Sequence, residues 1–196
     1  MTKPDPTRET YDKYAKQIAD RFWTNDLSHL WAPFLEILPL NARILDLGCG
    51  AGRDTAQFTS RGFSAIGADL SMGMLSEASS RSACSYLQAD MIALPFHPAS
   101  FDAVWANASL LHLPRRLTPG VLAGIHKLLK PGGILYLSLK IGEGEAWEER
   151  EGQRFFTFYQ PNEVFRLLAD INFTLHQHWT EPAKSFEWLN ILAIKS

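Results

Sequence analysis

Glycines at every second position follow a carboxylate in the stretch Ile44–Thr55, which reads Ile-Leu-Asp-Leu-Gly-Cys-Gly-Ala-Gly-Arg-Asp-Thr. The carboxylate is Asp46, and the glycines are Gly48, Gly50 and Gly52. An apolar run that ends in glycines and restarts as a helix predicts a strand, a tight turn and a helix. Glycine suits the turn because it accepts a positive φ and has no Cβ to keep a ligand away. The stretch therefore predicts a ligand-binding turn at the carboxyl end of a strand, where open α/β sheets bind ligands.

The position of Asp46 indicates the charge of that ligand. A dinucleotide-binding turn reads G-x-G-x-x-G and holds a pyrophosphate at the helix N-terminus. The pattern here is Asp-x-Gly-x-Gly-x-Gly, and a carboxylate inside the turn repels a pyrophosphate but suits a cation. A glycine-rich turn that binds nothing is the alternative interpretation.

Two further aspartates follow short predicted strands. Asp69 comes directly after Phe63–Ala68, about twenty residues past the turn, where a carboxylate can accept from both ribose hydroxyls of a nucleoside. The alternative role for Asp69 is to cap the helix that begins near Ser71. Asp90 follows the strand Ser85–Ala89, and an isolated Asp at a strand end is also a common turn residue. The order of the three aspartates along the chain favours one nucleoside ligand.

The turn at Asp46 resembles the nucleoside-binding motif of class I S-adenosylmethionine (SAM)-dependent methyltransferases, of the small type 11 or type 25 kind. The segment Leu-Pro-Phe…Ser-Phe-Asp-Ala-Val, from Leu94 to Val104, is similar to the same family. SAM has a sulfonium, an ammonium and no phosphate, which agrees with a carboxylate in the turn. The resemblance covers about Tyr11–Ile194 and implies a SAM cofactor, with S-adenosylhomocysteine as its product.

The resemblance also implies where each part of SAM binds. Asp69 would accept from the ribose, and Asp90 from the adenine amine. The ammonium would donate to backbone carbonyls of Gly48 and Asn107. The expected cofactor contacts are Tyr14, Asp46, Gly48, Cys49, Gly50, Gly52, Arg53, Asp69, Leu70, Asp90, Met91, Ile92 and Asn107.

The carboxylate of SAM needs a cation or a hydroxyl group. Arg53, Arg21, Tyr11 and Tyr14 are candidates, because the N-terminal helix of related enzymes often folds over SAM and supplies tyrosines. Ile18 stands where relatives often have another tyrosine. Packing in the core is the alternative role for both tyrosines.

His112 is the candidate general base, because an unperturbed imidazole titrates near pH 6.5 and can accept a proton at neutral pH. A role in lining the site is the alternative. The resemblance implies an in-line methyl transfer in which positioning, worth about 7–11 kcal/mol, is the main catalytic device. A base is needed only if the acceptor arrives protonated. The six histidines form no recognisable metal-ligand motif.

Alternating helix and strand patterns predict an α/β fold with a doubly wound, mostly parallel sheet. The resemblance implies a Rossmann-like, seven-stranded sheet with an antiparallel last strand and helices on both faces. We predict helices at 11–23, 28–38, 54–61, 72–81, 119–129 and 161–170, and strands at 42–46, 63–68, 85–89, 102–106, 134–139, 173–179 and 188–194.

A single domain is expected over residues 1–196, with an N-terminal helical lid over 1–40. Pro4 and Pro6 predict a flexible tail. Residues 140–159 are rich in Gly and Glu and predict a solvated, mobile loop or lid that leaves the fifth strand beside the site. Lys140 and Tyr159 flank this segment, and either could bind an acidic group on the acceptor. A solvated lysine is the alternative.

Composition excludes several classes of protein. The net charge of −2 provides no basic field for nucleic acid. No apolar run approaches the roughly 18 residues of a membrane span, and the N-terminus lacks an apolar signal core. Two cysteines are too few for a disulfide scaffold. We therefore expect a cytoplasmic monomer or homodimer.

The expected function is SAM-dependent methylation of a small molecule. The aromatic residues near the variable segments suit a planar or apolar acceptor, and they are Trp23, Trp31, Trp147, Phe155, Phe156 and Phe158. The alternatives are a SAM-binding regulatory or accessory protein without transferase activity, and a methyltransferase that modifies protein or tRNA. A nicotinamide-dependent oxidoreductase is disfavoured because G-x-G-x-x-G is absent.

Overall fold

A computed structural model describes residues 5–149 and 151–196. The first four residues, which include part of the expected tail and lid, lie outside the described residues. The helices are α1 Pro6–Lys13, α2 Ala15–Phe22, α3 Ser28–Glu36, α4 Arg53–Ser60, α5 Met72–Arg81, α6 Thr118–Leu128 and α7 Pro161–Asp170. The strands are β1 Arg43–Leu47, β2 Ser64–Asp69, β3 Ser85–Gln88, β4 Phe101–Ala106, β5 Leu129–Lys140, β6 Glu145–Glu148, β7 Arg154–Thr157, β8 Phe173–Pro182 and β9 Glu187–Lys195.

Seven strands form one sheet in the order β3-β2-β1-β4-β5-β9-β8. Strands β1 to β5 run parallel to one another, whereas β9 is antiparallel to both β5 and β8. This topology confirms the predicted seven-stranded sheet with an antiparallel last strand. The order reverses beside β1, so the carboxyl ends of β1 and β4 open a crevice at the switch point.

Side chains of β1 alternate between two apolar layers, as the period of a strand requires. Ile44 belongs to a cluster that includes Phe34 of α3 and Phe58 of α4. Leu45 belongs to a cluster on the opposite face that includes Val121 of α6. Helices therefore cover both faces of the sheet, which confirms the doubly wound prediction. Within the described residues, no helix combines the length and apolarity needed to cross a bilayer.

The N-terminal helix begins earlier than predicted and is broken in two. Asp5 caps α1, since its side chain accepts from the backbone N–H of Thr7 at 3.0 Å, and Pro6 occupies a first-turn position where no N–H is needed. The helix ends at Tyr14, whose φ and ψ of −108° and 18° are not helical. The prediction of one continuous helix over 11–23 is therefore wrong.

The described part of the segment 140–159 contains a β-hairpin formed by β6 and β7, so the prediction of a solvated, mobile loop is wrong. Strands β6 and β7 pair antiparallel, and Phe156 and Thr157 of β7 are buried. The Thr157 hydroxyl donates to the Leu113 carbonyl at 2.6 Å. Tyr159 is also buried, and its hydroxyl lies 2.7 Å from that of Thr118. The hairpin is thus fixed to the main core and forms a wall beside the crevice.

Candidate active site

The glycine turn after β1 packs closely against neighbouring side chains. Gly48, Gly50 and Gly52 all have positive φ, at 75°, 54° and 79°, which favours glycine. A Cβ at Gly48 would overlap Ser109, and one at Gly52 would overlap Tyr86. The protein's own side chains, together with the backbone conformation, therefore account for two of these glycines.

Asp69 ends β2 with its carboxylate held by two backbone donors. The N–H of Gly50 donates to Oδ2 at 2.8 Å, and the N–H of Ser71 donates to Oδ1 at 2.9 Å. Each oxygen keeps a second lone pair, so both can accept from a vicinal diol. Ser71, rather than Asp69, caps α5, because its hydroxyl accepts from the Met74 N–H at 3.1 Å. Burial raises the pKa of the Asp69 carboxyl.

A cavity of about 1300 Å³ lies above the carboxyl ends of the central strands. Small-molecule sites usually enclose roughly 300–1,000 Å³, so this cavity has room for a cofactor and an acceptor together. Most of the predicted site residues line it, namely Asp46, Gly48, Cys49, Gly50, Arg53, Asp69, Leu70, Asp90, Met91, Ile92, Asn107 and His112. Tyr14 and Gly52 do not.

Tyr11 occupies the place that the sequence analysis assigned to Tyr14. Both tyrosines pack against a small cluster that includes Ala15 and Met74, but Tyr11 lines the cavity and Tyr14 does not. The reason is the break in the helix, which ends α1 at Tyr14 and turns that ring away from the crevice. Tyr11 is thus the tyrosine placed to contact a ligand.

His112 is partly buried between Tyr11 and the hairpin. Its Nδ1 lies 2.7 Å from the carbonyl oxygen of Phe155; since a carbonyl only accepts, Nδ1 bears the proton. Nε2 then accepts from the Tyr11 hydroxyl at 2.9 Å. Burial lowers the pKa of His112 to about 4, so the expectation of an unperturbed imidazole is wrong. The ring is neutral at pH 7, and both His112 and Tyr11 line the cavity.

Asp46 is buried at the base of the turn, at 2% exposure. The Thr55 hydroxyl donates to it at 2.6 Å. Burial, with the nearby charge of Asp54 as the second cause, raises the pKa of Asp46 to about 8. A cation in the cavity would favour the ionised form of this carboxyl.

Asp54 is a buried acid that the sequence analysis did not identify. It accepts from the indole Nε1 of Trp105 at 2.8 Å, from the amide of Asn107 at 3.2 Å and from Nε of Arg53 at 2.7 Å. An acid in the first turn of α4 suggests only a favourable helix dipole interaction. The available signal was Trp105, since a buried indole N–H requires an acceptor.

Several side chains predicted to contact the cofactor form hydrogen bonds or ion pairs within the protein. The Asn107 side chain also accepts from Ser138 at 2.9 Å, which leaves its backbone carbonyl for a ligand. Arg53 donates to the Phe22 carbonyl at 3.3 Å as well as to Asp54. Arg21 forms an ion pair with Glu151. Of the candidates for a cofactor carboxylate, Arg21, Arg53 and Tyr11 line the cavity.

The adenine end of the cavity is more open. Asp90 accepts from the backbone N–H of Ile92 at 2.9 Å, which orients its carboxylate beside Met91. Ile92 is 54% exposed, as expected of an apolar side chain that would cover a base.

Burial raises the pKa of the Cys49 thiol well above its ordinary value, so this residue acts as a small neutral side chain.

The donor set of this half of the cavity fits SAM. Carboxylates face the positions of its cationic and hydroxyl groups, and the glycine turn lets the backbone approach its amino-acid portion. The aromatic candidates divide into two groups: Trp23, Trp147, Phe155 and Phe156 line the cavity, whereas Trp31 and Phe158 do not.

Comparisons with known proteins agree with this geometry. Residues 44–133 match the family model described as a methyltransferase domain. A curated relative, 27-O-demethylrifamycin SV methyltransferase of Amycolatopsis mediterranei, is 33% identical over 165 residues, or 70% of this chain and 60% of that protein. The chain spans less than two thirds of the length of the curated relatives it matches.

Two solved structures show the same fold. The 1,6-didemethyltoxoflavin-N1-methyltransferase of Burkholderia thailandensis, with 1,6-didemethyltoxoflavin and S-adenosylhomocysteine bound, has a TM-score of 0.77 and 24% identity. The match covers 96% of this chain and 87% of that one. The cyclase SpnF has a TM-score of 0.80 and 17% identity, over 97% of this chain and 96% of its own. At these identities the likeness establishes the fold alone.

Proposed function

We propose that this chain is a class I SAM-dependent methyltransferase, since residues 44–133 match a methyltransferase domain, and that it transfers the methyl group of SAM to a small-molecule acceptor. The observation that supports this most is the carboxylate of Asp69, fixed by the N–H groups of Gly50 and Ser71 beside the glycine turn. Its two oxygens are arranged for the hydroxyls of a ribose.

The size of the cavity supports a small acceptor. When bound, SAM supplies a sulfonium methyl group, and sulfur keeps the bonding electron pair as the acceptor–carbon bond forms. The chain itself positions the partners and excludes water, which can supply about 7–11 kcal/mol. The α1 helix crosses the cavity, since Asp12 accepts from the Ser71 hydroxyl at 2.6 Å and Thr10 donates to the Gln153 carbonyl at 2.9 Å. We therefore propose that α1 is the lid.

We propose that His112 acts through Tyr11 where an acceptor must lose a proton. The neutral imidazole accepts from Tyr11, and the Tyr11 oxygen lies on the cavity wall. A proton from the acceptor would pass to the Tyr11 oxygen as the hydroxyl proton of Tyr11 passes to Nε2 of His112. An acceptor that arrives deprotonated needs neither residue.

The test uses SAM labelled in its methyl group, with the small-molecule, protein and RNA fractions of a cell extract as acceptors. We expect label in the small-molecule fraction and none with Asp69→Ala, while the exposed Asp170→Ala variant stays active. Label in protein or RNA would instead favour the macromolecular alternative. Tight S-adenosylhomocysteine binding with no label in any fraction would favour a regulatory or accessory protein.

A further inference from the structure

The lining of the cavity includes both acidic and basic side chains. Aspartates at the ends of β1, β2 and β3 face the cofactor half. Lys140, the last residue of β5, and Arg154, the first of β7, also line the cavity, and both lie near the Phe156 ring. The Lys140 ammonium is 3.6 Å and the Arg154 guanidinium 5.6 Å from the centroid of that ring.

Lys140 is buried at 6% exposure, where a lysine needs a specific partner. Its Nζ donates to Glu148 at 3.1 Å, and it lies 4.6 Å from the centroid of the Phe186 ring. Burial lowers the pKa of Lys140, and Glu148 opposes this shift. Lys140 and Arg154 together have two positive charges against one negative charge on Glu148, so the cluster retains one positive charge.

Two buried nitrogen donors on cavity-lining residues of β7 and β9 have no acceptor within the part of the chain that the structure describes. They are Nε of Arg154 and Nδ2 of Asn190, both fully buried. Asn190 is held in place because its Oδ1 accepts from the Tyr136 hydroxyl at 2.8 Å, so Nδ2 cannot turn away. A buried donor without a partner is energetically unfavourable. A ligand that brings acceptor oxygens would remove that cost.

Aromatic rings enclose these groups. Phe186 and Trp188 form an edge-to-face pair with centroids 5.0 Å apart, and Trp188 lies opposite Lys140 in the β5–β9 pairing. Trp147 is 50% exposed at the rim and contacts Phe155 at 5.2 Å. Faces and edges of this kind suit a flat ring better than a flexible chain.

We propose that the methyl acceptor is a planar aromatic acid, with its anionic oxygens bound between Lys140 and Arg154 and its ring against Phe156 and Phe186. This inference rests on the proposed function and adds the chemical class of the acceptor. The anion would neutralise the remaining positive charge of the cluster and offer oxygens to the unpartnered donors. The aspartates at the ends of β1, β2 and β3 then face the cationic cofactor, and Lys140 and Arg154 bind an anionic acceptor.

The test measures binding to the full chain saturated with S-adenosylhomocysteine, by calorimetry. The probes are 4-hydroxybenzoate and 2-naphthoate, each against its neutral amide, with acetate as an anion that has no ring. We expect each acid to bind at least about tenfold more tightly than its amide, and acetate to bind more weakly than either acid. Lys140→Met and Arg154→Met should each weaken acid binding by about tenfold, and Lys140→Arg should restore most of it.

The controls separate this inference from the proposed function. Lys127→Met and Arg166→Met remove exposed cations and should leave acid binding unchanged. Equal affinity of acid and amide, or undiminished acid binding by Lys140→Met and Arg154→Met, would overturn the inference, while S-adenosylhomocysteine binding would still support the cofactor site. Equal affinity for acetate and 2-naphthoate would overturn the aromatic part. Failure to bind S-adenosylhomocysteine would instead remove the proposed function.

Discussion

The hydroxyl of Tyr11 lies 2.9 Å from Nε2 of His112, across 101 positions of sequence. This hydrogen bond joins α1 to the loop after β4, and Thr7 of the same helix accepts from the Phe155 N–H at 3.0 Å. Asp12 also accepts from the Gly73 N–H at 2.9 Å. Helix α1 is therefore hydrogen-bonded to both sides of the cavity, and the His112 imidazole beside it is neutral.

Replacing Tyr11 should affect the protein more than replacing Tyr14. Tyr11→Phe deletes the hydrogen bond to His112 and should lower the free energy of unfolding by about 1 kcal/mol. Tyr14→Phe is the matched control, since Tyr14 contributes mainly its ring to packing. Urea denaturation of both variants checks this, and equal losses would remove the special role of the Tyr11 hydroxyl.

The stability of the protein should depend on the protonation of His112. Its pKa is about 4 in the folded chain against an ordinary 6.5, so the unfolded chain binds more protons between these values. Stability from this residue is therefore fully present above pH 6.5 and lost as the pH falls to 4. Compared with His112→Gln, the wild type should gain about 3 kcal/mol from pH 4 to 7.

The comparison with His112→Gln is needed because Asp46 acts in the opposite direction. Its pKa of about 8 means that the folded chain binds more protons between pH 4 and 8, which favours folding at the acidic end. That contribution is common to both proteins and cancels in the difference. Parallel stability curves for the wild type and His112→Gln would contradict the low pKa of His112.

Cofactor binding should release a proton at pH 7. Asp46, with its pKa of about 8, is mainly protonated in the free protein, and the positive charges of SAM favour the carboxylate. The observed binding enthalpy should therefore differ between phosphate and Tris, which have different ionisation enthalpies, and SAM affinity should rise from pH 7 to 8. Asp46→Asn should lose the buffer dependence. An identical heat in both buffers for the wild type would contradict the prediction.

Two glycines provide a matched test of the turn. Gly52 and Gly62 have similar positive φ, at 79° and 89°, but a Cβ meets Tyr86 at the first and nothing within 4 Å at the second. Gly62→Ala should cost about 1 kcal/mol of stability from backbone strain alone. Gly52→Ala should cost more, and the excess should vanish in a Tyr86→Ala background, as a double-mutant cycle would show.

The features that sequence reasoning predicts well are local ones. The turn at Asp46 and the position of Asp69 follow from glycine spacing and from the strand ends beside them. Asp54 could not be assigned in the same way, because its partner Trp105 lies 51 positions away. The hairpin could not be predicted because glycine and glutamate, which are common in this segment, are rare in strands, although Phe155 and Phe156 are typical strand residues. Its stability comes from packing on the main core, which no local pattern reports.

Calorimetric titration of the purified protein with SAM and S-adenosylhomocysteine tests the central claim most directly. The account predicts micromolar affinity for both, with the product at least as tight, and loss of both in Asp69→Ala while Asp170→Ala is unaffected. The absence of binding to either compound, or unchanged affinity in Asp69→Ala, would contradict it.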